Sequence, residues 1–331
     1  MSVQSRARLA RIRTFIDSLN LPAVYLILVI TFVTAYLLTT LFGRGDFLSS
    51  STLTNMMVRS VALGIVAVGQ TFVILGASID LSVAYLISVT AVMASYIMQG
   101  ETSNIPLALA VVLGIGVVVG TVNGLIVTRL KVNPLITTLG TGLVMHGILN
   151  ASFDNFVGAV PSSFQFLGYD NVGPVPVSVL LLATVVLLGN FILQRTTFGA
   201  HLYSVGGSEE TARLSGVRTS RVIIGAHIIC SLTAVLTGLF IVSRTGAGAP
   251  WLGPDGVYDL ESIAVTVLGG TALSGGKGGV WGTIAGVFIF AILATLFNQI
   301  GMDTYLRQVL RGLIIIIAVA AYQYRSKEQA A

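Results

Sequence analysis

The chain has 331 residues, 54% of them hydrophobic and 9% charged, with a net charge of +5 and a mean hydropathy of +0.91. Soluble domains carry roughly 25% charged residues, so this composition excludes a water-soluble protein and indicates a chain that crosses a membrane many times. Cys230 is the only cysteine, which excludes an intrachain disulfide.

Ten apolar segments are predicted to be membrane segments. In chain order they cover residues 21–42, 61–76, 83–98, 106–127, 135–149, 177–193, 222–242, 263–273, 280–297 and 305–322. Uninterrupted apolar runs exclude the alternating pattern of a barrel, so the segments are helices. The first is too long for the core of a signal peptide and is predicted to be uncleaved. The predicted fold is an all-α helical bundle that forms one transmembrane domain over residues 1–331.

The orientation follows from the basic residues, because lysine and arginine mark cytoplasmic loops. If both termini are cytoplasmic, 13 of the 18 Lys and Arg residues fall on that side. They are Arg6, Arg8, Arg11, Arg13, Arg129, Lys131, Arg195, Arg213, Arg218, Arg221, Lys277, Arg325 and Lys327. The sequence therefore predicts cytoplasmic termini, with residues 1–20 as a basic amino terminus and residues 195–221 as an internal cytoplasmic loop.

Two of the segments are interrupted, which predicts broken or re-entrant helices. Residues 77–82 (ASIDLS) place a carboxylate, Asp80, between two apolar halves. Segment 263–273 extends about 16 Å as a helix, short of the hydrocarbon core of about 30 Å, and runs into a glycine-rich tract. Irregular backbone at membrane depth must be buried in protein or line an aqueous cavity. The candidate helix-break or translocation-path residues are Gly76, Ser78, Asp80, Ser82, Gly269, Gly270, Thr271, Ser274, Gly275 and Gly276.

The two interruptions resemble each other in sequence. Residues 75–78 (LGAS) match residues 268–271 (LGGT), and residues 81–82 match residues 273–274. Paired interruptions in two halves of a chain are typical of transporters. Six matched positions leave both an internal repeat and chance similarity open. Asp80 likewise has two open interpretations, as a path residue or as a cap on the helix that begins near Ser82.

Enzyme chemistry finds no support in the sequence. With Gly276-Lys277 as the final pair of a phosphate-binding loop, the first glycine would be residue 271, which is Thr271, and Gly278 would be Ser or Thr. His146 and His227 lie in apolar segments with no second ligand at metal-binding spacing, so both are predicted to be core histidines. Arg307 and Arg311 begin the last segment, where snorkelling to the interface explains them best.

The internal loop contains a predicted short helix. Ser208 can cap it, Glu209 and Glu210 lie in its first turn, and Gly216 ends it. So short a helix has little core to bury into, which favours docking to a partner or to the underside of the bundle over a passive linker. The predicted docking residues are Gly206, Gly207, Ser208, Glu209, Glu210, Ala212, Arg213 and Gly216.

Four blocks of sequence carry a family resemblance. They are residues 69–82 (GQTFVILGASIDLS), 120–140 (GTVNGLIVTRLKVNPLITTLG), 198–218 (FGAHLYSVGGSEETARLSGVR) and 259–286 (DLESIAVTVLGGTALSGGKGGVWGTIAG). With these blocks the chain resembles the permease subunit of ribose- and xylose-type sugar ATP-binding-cassette (ABC) importers, in the branched-chain-type permease superfamily. The family usually has two adjacent glycines before I-D-L-S and one soon after, where this chain has Ala77-Ser78 before Ile79 and Ala84 after Val83.

The resemblance implies a permease in the bacterial inner membrane, either a homodimer or a heterodimer with a sister permease, that passes a monosaccharide by alternating access. Cytoplasmic ATPase subunits would dock on the 206–216 loop and bind the ATP, so that this chain holds no cofactor. A periplasmic binding protein would deliver the sugar. Two alternatives stay open: an ABC permease for another small solute, such as a nucleoside or branched-chain amino acid, and an ion-coupled secondary transporter with Asp80 as its ion site.

Overall fold

A computed structural model describes residues 23–42, 46–314 and 316. The predicted basic amino terminus (1–20) and the end of the last predicted segment (317–322) lie outside the described residues. The described helices are α1 Ala23–Phe42, α2 Ser50–Leu75, α3 Val83–Met98, α4 Ile105–Arg129, α5 Pro134–Ser152, α6 Phe166–Tyr169, α7 Val177–Arg195, α8 Thr197–Gly207, α9 Glu209–Leu214, α10 Thr219–Thr245, α11 Leu252–Asp255, α12 Tyr258–Leu268 and α13 Val280–Gln299. A 3-10 turn (Thr102–Asn104), an antiparallel hairpin (β1 Asn171–Val172, β2 Val175–Pro176) and helical residues 304–314 complete them.

Six of these helices are long and apolar enough to cross a membrane: α1, α2, α4 with its preceding 3-10 turn, α7, α10 and α13. Helix α3 is apolar but shorter, at 16 residues. The structure is therefore mostly helical, as predicted, while the number of ten membrane segments is not confirmed.

Two predicted boundaries were wrong in an informative way. Helix α2 begins at Ser50 rather than at residue 61, because Ser49 accepts a hydrogen bond from the Thr52 amide and caps a polar first stretch. Helix α12 begins at Tyr258 and ends at Leu268, five residues before the predicted end. Hydropathy reports where a segment meets lipid, whereas caps and turns decide where its helix begins and ends.

Helix α10 lies at the centre of the bundle, packed against α2, α3 and α4. Three glycines spaced four residues apart, Gly116, Gly120 and Gly124, let α4 approach it closely. A methyl group at Gly120 would lie 2.7 Å from the backbone oxygen of His227. The small-residue stripe of α4 thus brings His227 into the interior of the bundle.

Between α10 and α13 the chain crosses the bundle as a broken segment. We call the end of the bundle with the β1–β2 hairpin the hairpin end and the opposite end the α9 end. Gly248 pairs with Val157 at the hairpin end, and Gly253 donates to Ser88 Oγ (2.9 Å) partway along α3. Helix α12 continues alongside α2, and Gly276 then reaches Leu75 at the α9 end.

Candidate functional site

The two predicted helix breaks share one backbone geometry. The Ser78 amide donates to Val73 O and the Ala77 amide to Ile74 O, a Schellman motif at the end of α2. The corresponding residues at the end of α12 repeat it, where Thr271 donates to Thr266 O and Gly270 to Val267 O. Ala77 and Gly270 both have left-handed φ angles, +56° and +91°. The sequence likeness of the two breaks therefore encodes a shared way of ending a helix.

Asp80 is fully buried and held by several donors. Its Oδ1 accepts from the Ser82 amide (2.9 Å) and the Ser82 hydroxyl (2.5 Å). Its Oδ2 lies 3.2 Å from His227 Nδ1. The side-chain amide of Gln70 fits its surroundings when its NH₂ group donates to the backbone oxygen of Asp80 and its oxygen accepts from the backbone NH of Asp80, both at 3.2 Å. The carboxylate is thus satisfied by the protein, and its bond to the Ser82 amide closes the turn that precedes α3.

His227 links Asp80 to Ser78. A carboxylate only accepts, so we assign the proton of a neutral imidazole to Nδ1, and Nε2 (3.0 Å) then accepts from the Ser78 hydroxyl. The prediction of a satisfied core histidine is confirmed for His227. Its partners lie 147 and 149 positions away in sequence, so no local spacing could reveal them.

The glycine tract closes against the first break. The Gly276 amide donates to Leu75 O at 3.0 Å, and the Ala272 amide to Lys277 O at 2.8 Å. The Thr71 and Thr283 hydroxyls add a buried bond of 2.8 Å between α2 and α13. The two breaks, far apart in sequence, form one irregular layer at the α9 end.

Helix α8 packs onto that layer. A side chain at Gly206 would overlap the Leu75 carbonyl and approach the Gly276 amide, so only glycine allows the observed contact. The Tyr203 hydroxyl donates to Gly278 O (2.8 Å). A tyrosine hydroxyl is protonated near pH 7 and can donate, and burial raises the pKa of Tyr203 further above its ordinary value. The 206–216 loop is thereby joined to both breaks.

Helix α9 has the predicted capping. Ser208 Oγ accepts from the Thr211 amide (3.3 Å), and Glu209 and Glu210 lie in the first turn. Glu209 is held by two partners within the chain: its carboxylate pairs with Lys131 Nζ (3.5 Å) and accepts from Thr219 Oγ1 (3.1 Å). Glu210 is exposed, as is the apolar side chain of Leu214, at 80%. Together with Thr211 and Arg213, which are also exposed, they form the free face of α9.

A cavity of about 440 Å³, which we call the α9 cavity, opens between the first break, the α4–α5 loop and α8–α9. Gly76, Ser78, Lys131, Asn133 and Glu209 contribute to its walls. Ser78 belongs both to this wall and to the buried Asp80–His227 cluster, so it connects the cluster to the cavity.

The predicted site residues divide by exposure. Gly76, Ser78, Asp80, Ser82, Gly206, Ala212, Thr271 and Gly275 are buried, Gly269 and Gly276 are half-buried, and Gly207, Ser208, Glu209, Glu210, Arg213, Gly216, Gly270 and Ser274 are exposed. The buried ones gather around the two breaks and the end of α8. Among the described residues, no group of three or more His, Cys, Asp or Glu side chains could hold a metal ion.

Comparison with known proteins decides the family. Residues 52–319 match the model of the family described as branched-chain amino acid transport system / permease component. The chain belongs to this permease family. The permease is 36% identical over 282 residues to the ribose import permease protein RbsC of Bacillus subtilis, covering 83% of this chain and 85% of that one. It is 31% identical over 328 residues to the galactose/methyl galactoside import permease protein MglC of Salmonella typhimurium, covering 93% and 95%.

The fructose import permease protein FrcC of Rhizobium meliloti is 33% identical over 296 residues, covering 86% of this permease and 81% of its own length. No solved structure matches the chain. The resemblance to sugar ABC permeases that the four sequence blocks indicated is confirmed.

Several residues of the permease site were not predicted. Gln70 and Asn123 are buried polar side chains that bond Asp80 and Ser82, and Tyr203 and Lys131 tie α8 and α9 to the bundle. Gln70 and Asn123 carry one available signal, a polar side chain in an apolar helix. Tyr203 and Lys131 lie in polar stretches, where nothing in the local sequence distinguishes them.

Proposed function

We propose that this permease is the membrane-spanning subunit of an ABC importer and forms the translocation path for a monosaccharide. The import permeases for ribose, galactose and fructose that resemble it along most of its length support this substrate class. The single observation that carries the proposal is the contact of α8 with both helix breaks, through Gly206, Leu75 and Gly276. It gives an external motor a direct connection to the irregular backbone of both helix breaks.

The mechanism is alternating access driven from the α9 end. A cytoplasmic ATPase subunit binds the exposed face of α9, and closure of the ATPase dimer displaces α9 together with α8. Because Gly206 and Tyr203 contact the glycine tract, the two breaks move with α8. Backbone in a turn or a glycine tract absorbs such a displacement more easily than a continuous helix does.

The proposal includes the other members of the importer. The α9 end faces the cytoplasm with both termini, the hairpin end receives the sugar from a periplasmic binding protein, and a second permease copy or a sister permease completes the path in the bacterial inner membrane. The basic residues near the α9 end, such as Arg129, Lys131 and Arg195, support this orientation. ATP is bound by the partner subunit, and this chain carries out no catalysis.

The ion-coupled alternative depends on Asp80, and its surroundings favour a structural role. Its two carboxylate oxygens already contact Ser82 and His227, at zero exposed fraction. A coupling ion would have to replace those donors.

Proteoliposomes test the function. With the ATPase and binding protein encoded beside this chain, we expect ATP-dependent uptake of ribose, galactose or fructose, and none from the chain alone. Uptake by the chain alone, driven by a proton or sodium gradient, would overturn the proposal in favour of the secondary transporter.

A further inference from the structure

The broken crossing between α10 and α13 contains a second discontinuity, closer to the hairpin end than the glycine tract. Helix α11 ends at Asp255 and α12 begins at Tyr258. Val257 between them has φ +53°. A β-branched residue in the left-handed region is an outlier, and such backbone concentrates at functional sites.

A cavity of about 230 Å³ lies beside this discontinuity, between α2, α12, α13 and helical residues 304–314. We call it the α12 cavity. Arg59, Ser60, Tyr258, Glu261 and Arg311 supply its polar groups, and aliphatic and phenylalanine side chains form the rest of its wall. Arg59 lies nine residues into α2, roughly 14 Å from its start and two residues before the apolar segment 61–76, so the cavity lies toward the hairpin end of the bundle.

The charged groups of the cavity are only partly paired. Glu261 lies 3.4 Å from Arg311 Nη1, with side chains 9% and 42% exposed. Arg59 makes no ion pair with any residue that the structure describes. The Arg311 guanidinium thus has a buried carboxylate as its partner, which the snorkelling prediction did not include. Ionisable groups that line a cavity between membrane helices are candidates for a substrate path.

We propose that the α12 cavity is a transient binding site for the monosaccharide. This inference rests on the proposed function. A sugar is a neutral polyol: Glu261 would accept from its hydroxyls, Arg59 and Arg311 would donate to them, and the Tyr258 ring would cover an apolar face. The cavity is smaller than the roughly 300–1,000 Å³ of sites for drug-sized ligands, which suits a monosaccharide. An anionic headgroup would instead meet the carboxylate of Glu261.

Helix α12 connects this site to the coupling contacts. Its first turn carries Glu261, and its last residue, Leu268, leads directly into the glycine tract that contacts Gly206. Transporter binding sites form where membrane helices are discontinuous. A displacement of the tract by α8 would therefore act along α12 on the groups that hold the sugar.

Protection of an introduced thiol tests the site in the reconstituted complex with its ATPase and binding protein. Cys230 is buried, so a methanethiosulfonate reagent reports on Ala294→Cys, which lines the cavity. Ala291→Cys is a second probe if the first variant does not import. Asn171→Cys, in the exposed hairpin, controls for reagent access. We expect the imported sugar to slow labelling of the cavity thiol at least threefold and to leave the hairpin thiol unchanged.

Two substitutions separate the site from general effects. Glu261→Gln is expected to abolish the protection, whereas Asp259→Asn, on the same helix but outside the cavity wall, is expected to retain it. Import of a sugar without protection, protection that persists in Glu261→Gln, or protection by phosphatidylglycerol in place of sugar would overturn the inference and leave the proposed function standing. Absence of import of ribose, galactose and fructose would instead overturn the proposed function.

Discussion

The backbone amide of Gly276 donates to the carbonyl oxygen of Leu75 at 3.0 Å, and this bond joins the two places where the membrane segments are interrupted. Gly206 packs against the same two groups from α8. Three backbones meet where side chains would keep them apart. A displacement of α8 therefore cannot leave either break unaffected.

The buried pair of Asp80 and His227 is predicted to stabilise the first break. His227→Ala leaves a carboxylate without one of its donors at zero exposure, and loss of a hydrogen-bond partner by a buried polar group costs about 1–3 kcal/mol, and more when the group is charged. In thermal unfolding experiments in detergent, His227→Ala should lower the melting temperature strongly. The double variant that combines Asp80→Asn with His227→Ala should recover part of the lost stability. His146→Ala, a half-buried histidine bonded to Asn150, is the control and should lose little. An equal decrease in melting temperature in His227→Ala and in the double variant would show that Asp80 and His227 do not stabilise each other.

Ala77 is predicted to be replaceable by glycine with a gain in stability. Its φ of +56° costs an L-residue roughly 1–2 kcal/mol of strain. Glycine removes this strain but loses more backbone entropy on folding, which cancels about half of the gain. We expect Ala77→Gly to raise the melting temperature. The opposite change is expected for Ala110→Gly within α4, which loses about 1 kcal/mol of helix propensity. A lower melting temperature in both variants would show that Ala77 is unstrained.

The free face of α9 is predicted to recognise the ATPase subunit through Glu210 rather than Glu209. Glu209 is held by Lys131 and Thr219 within the chain, while Glu210 is exposed. Glu210→Arg should reduce co-purification of the ATPase without lowering the melting temperature. Lys131→Ala is the control, because a surface pair contributes about 0–1 kcal/mol, and it should retain the ATPase. Normal ATPase binding by Glu210→Arg would exclude this residue from the interface.

Much of this arrangement could be predicted from local sequence. The capping of α9 by Ser208, the breaks at residues 76–82 and 269–279, and the burial of Asp80 each depend on a few neighbouring residues. Local chemistry also bears on the likeness of the two breaks, since glycine is the residue most often found at the left-handed position of a Schellman end.

The partners of these residues could not be predicted, because they come from distant segments. His227 reaches Asp80 only because Gly120 allows α4 and α10 to pack closely. Arg311 reaches Glu261 because α12 begins at a discontinuity that hydropathy does not show. A single sequence shows which polar side chains fall in apolar segments. The packing of the bundle decides which groups become their hydrogen-bond or ion-pair partners.

The claim that coupling passes through the contact of α8 with the two breaks is tested most directly by adjacent glycines. A methyl group at Gly206 would overlap Leu75 O, whereas one at Gly207 has nothing within 4 Å. The measurement is sugar accumulated per ATP hydrolysed in proteoliposomes that hold the complete importer. We expect Gly206→Ala to hydrolyse ATP with little or no uptake and Gly207→Ala to match the wild type. A wild-type ratio in Gly206→Ala, with the variant folded and bound to its ATPase, would contradict the account.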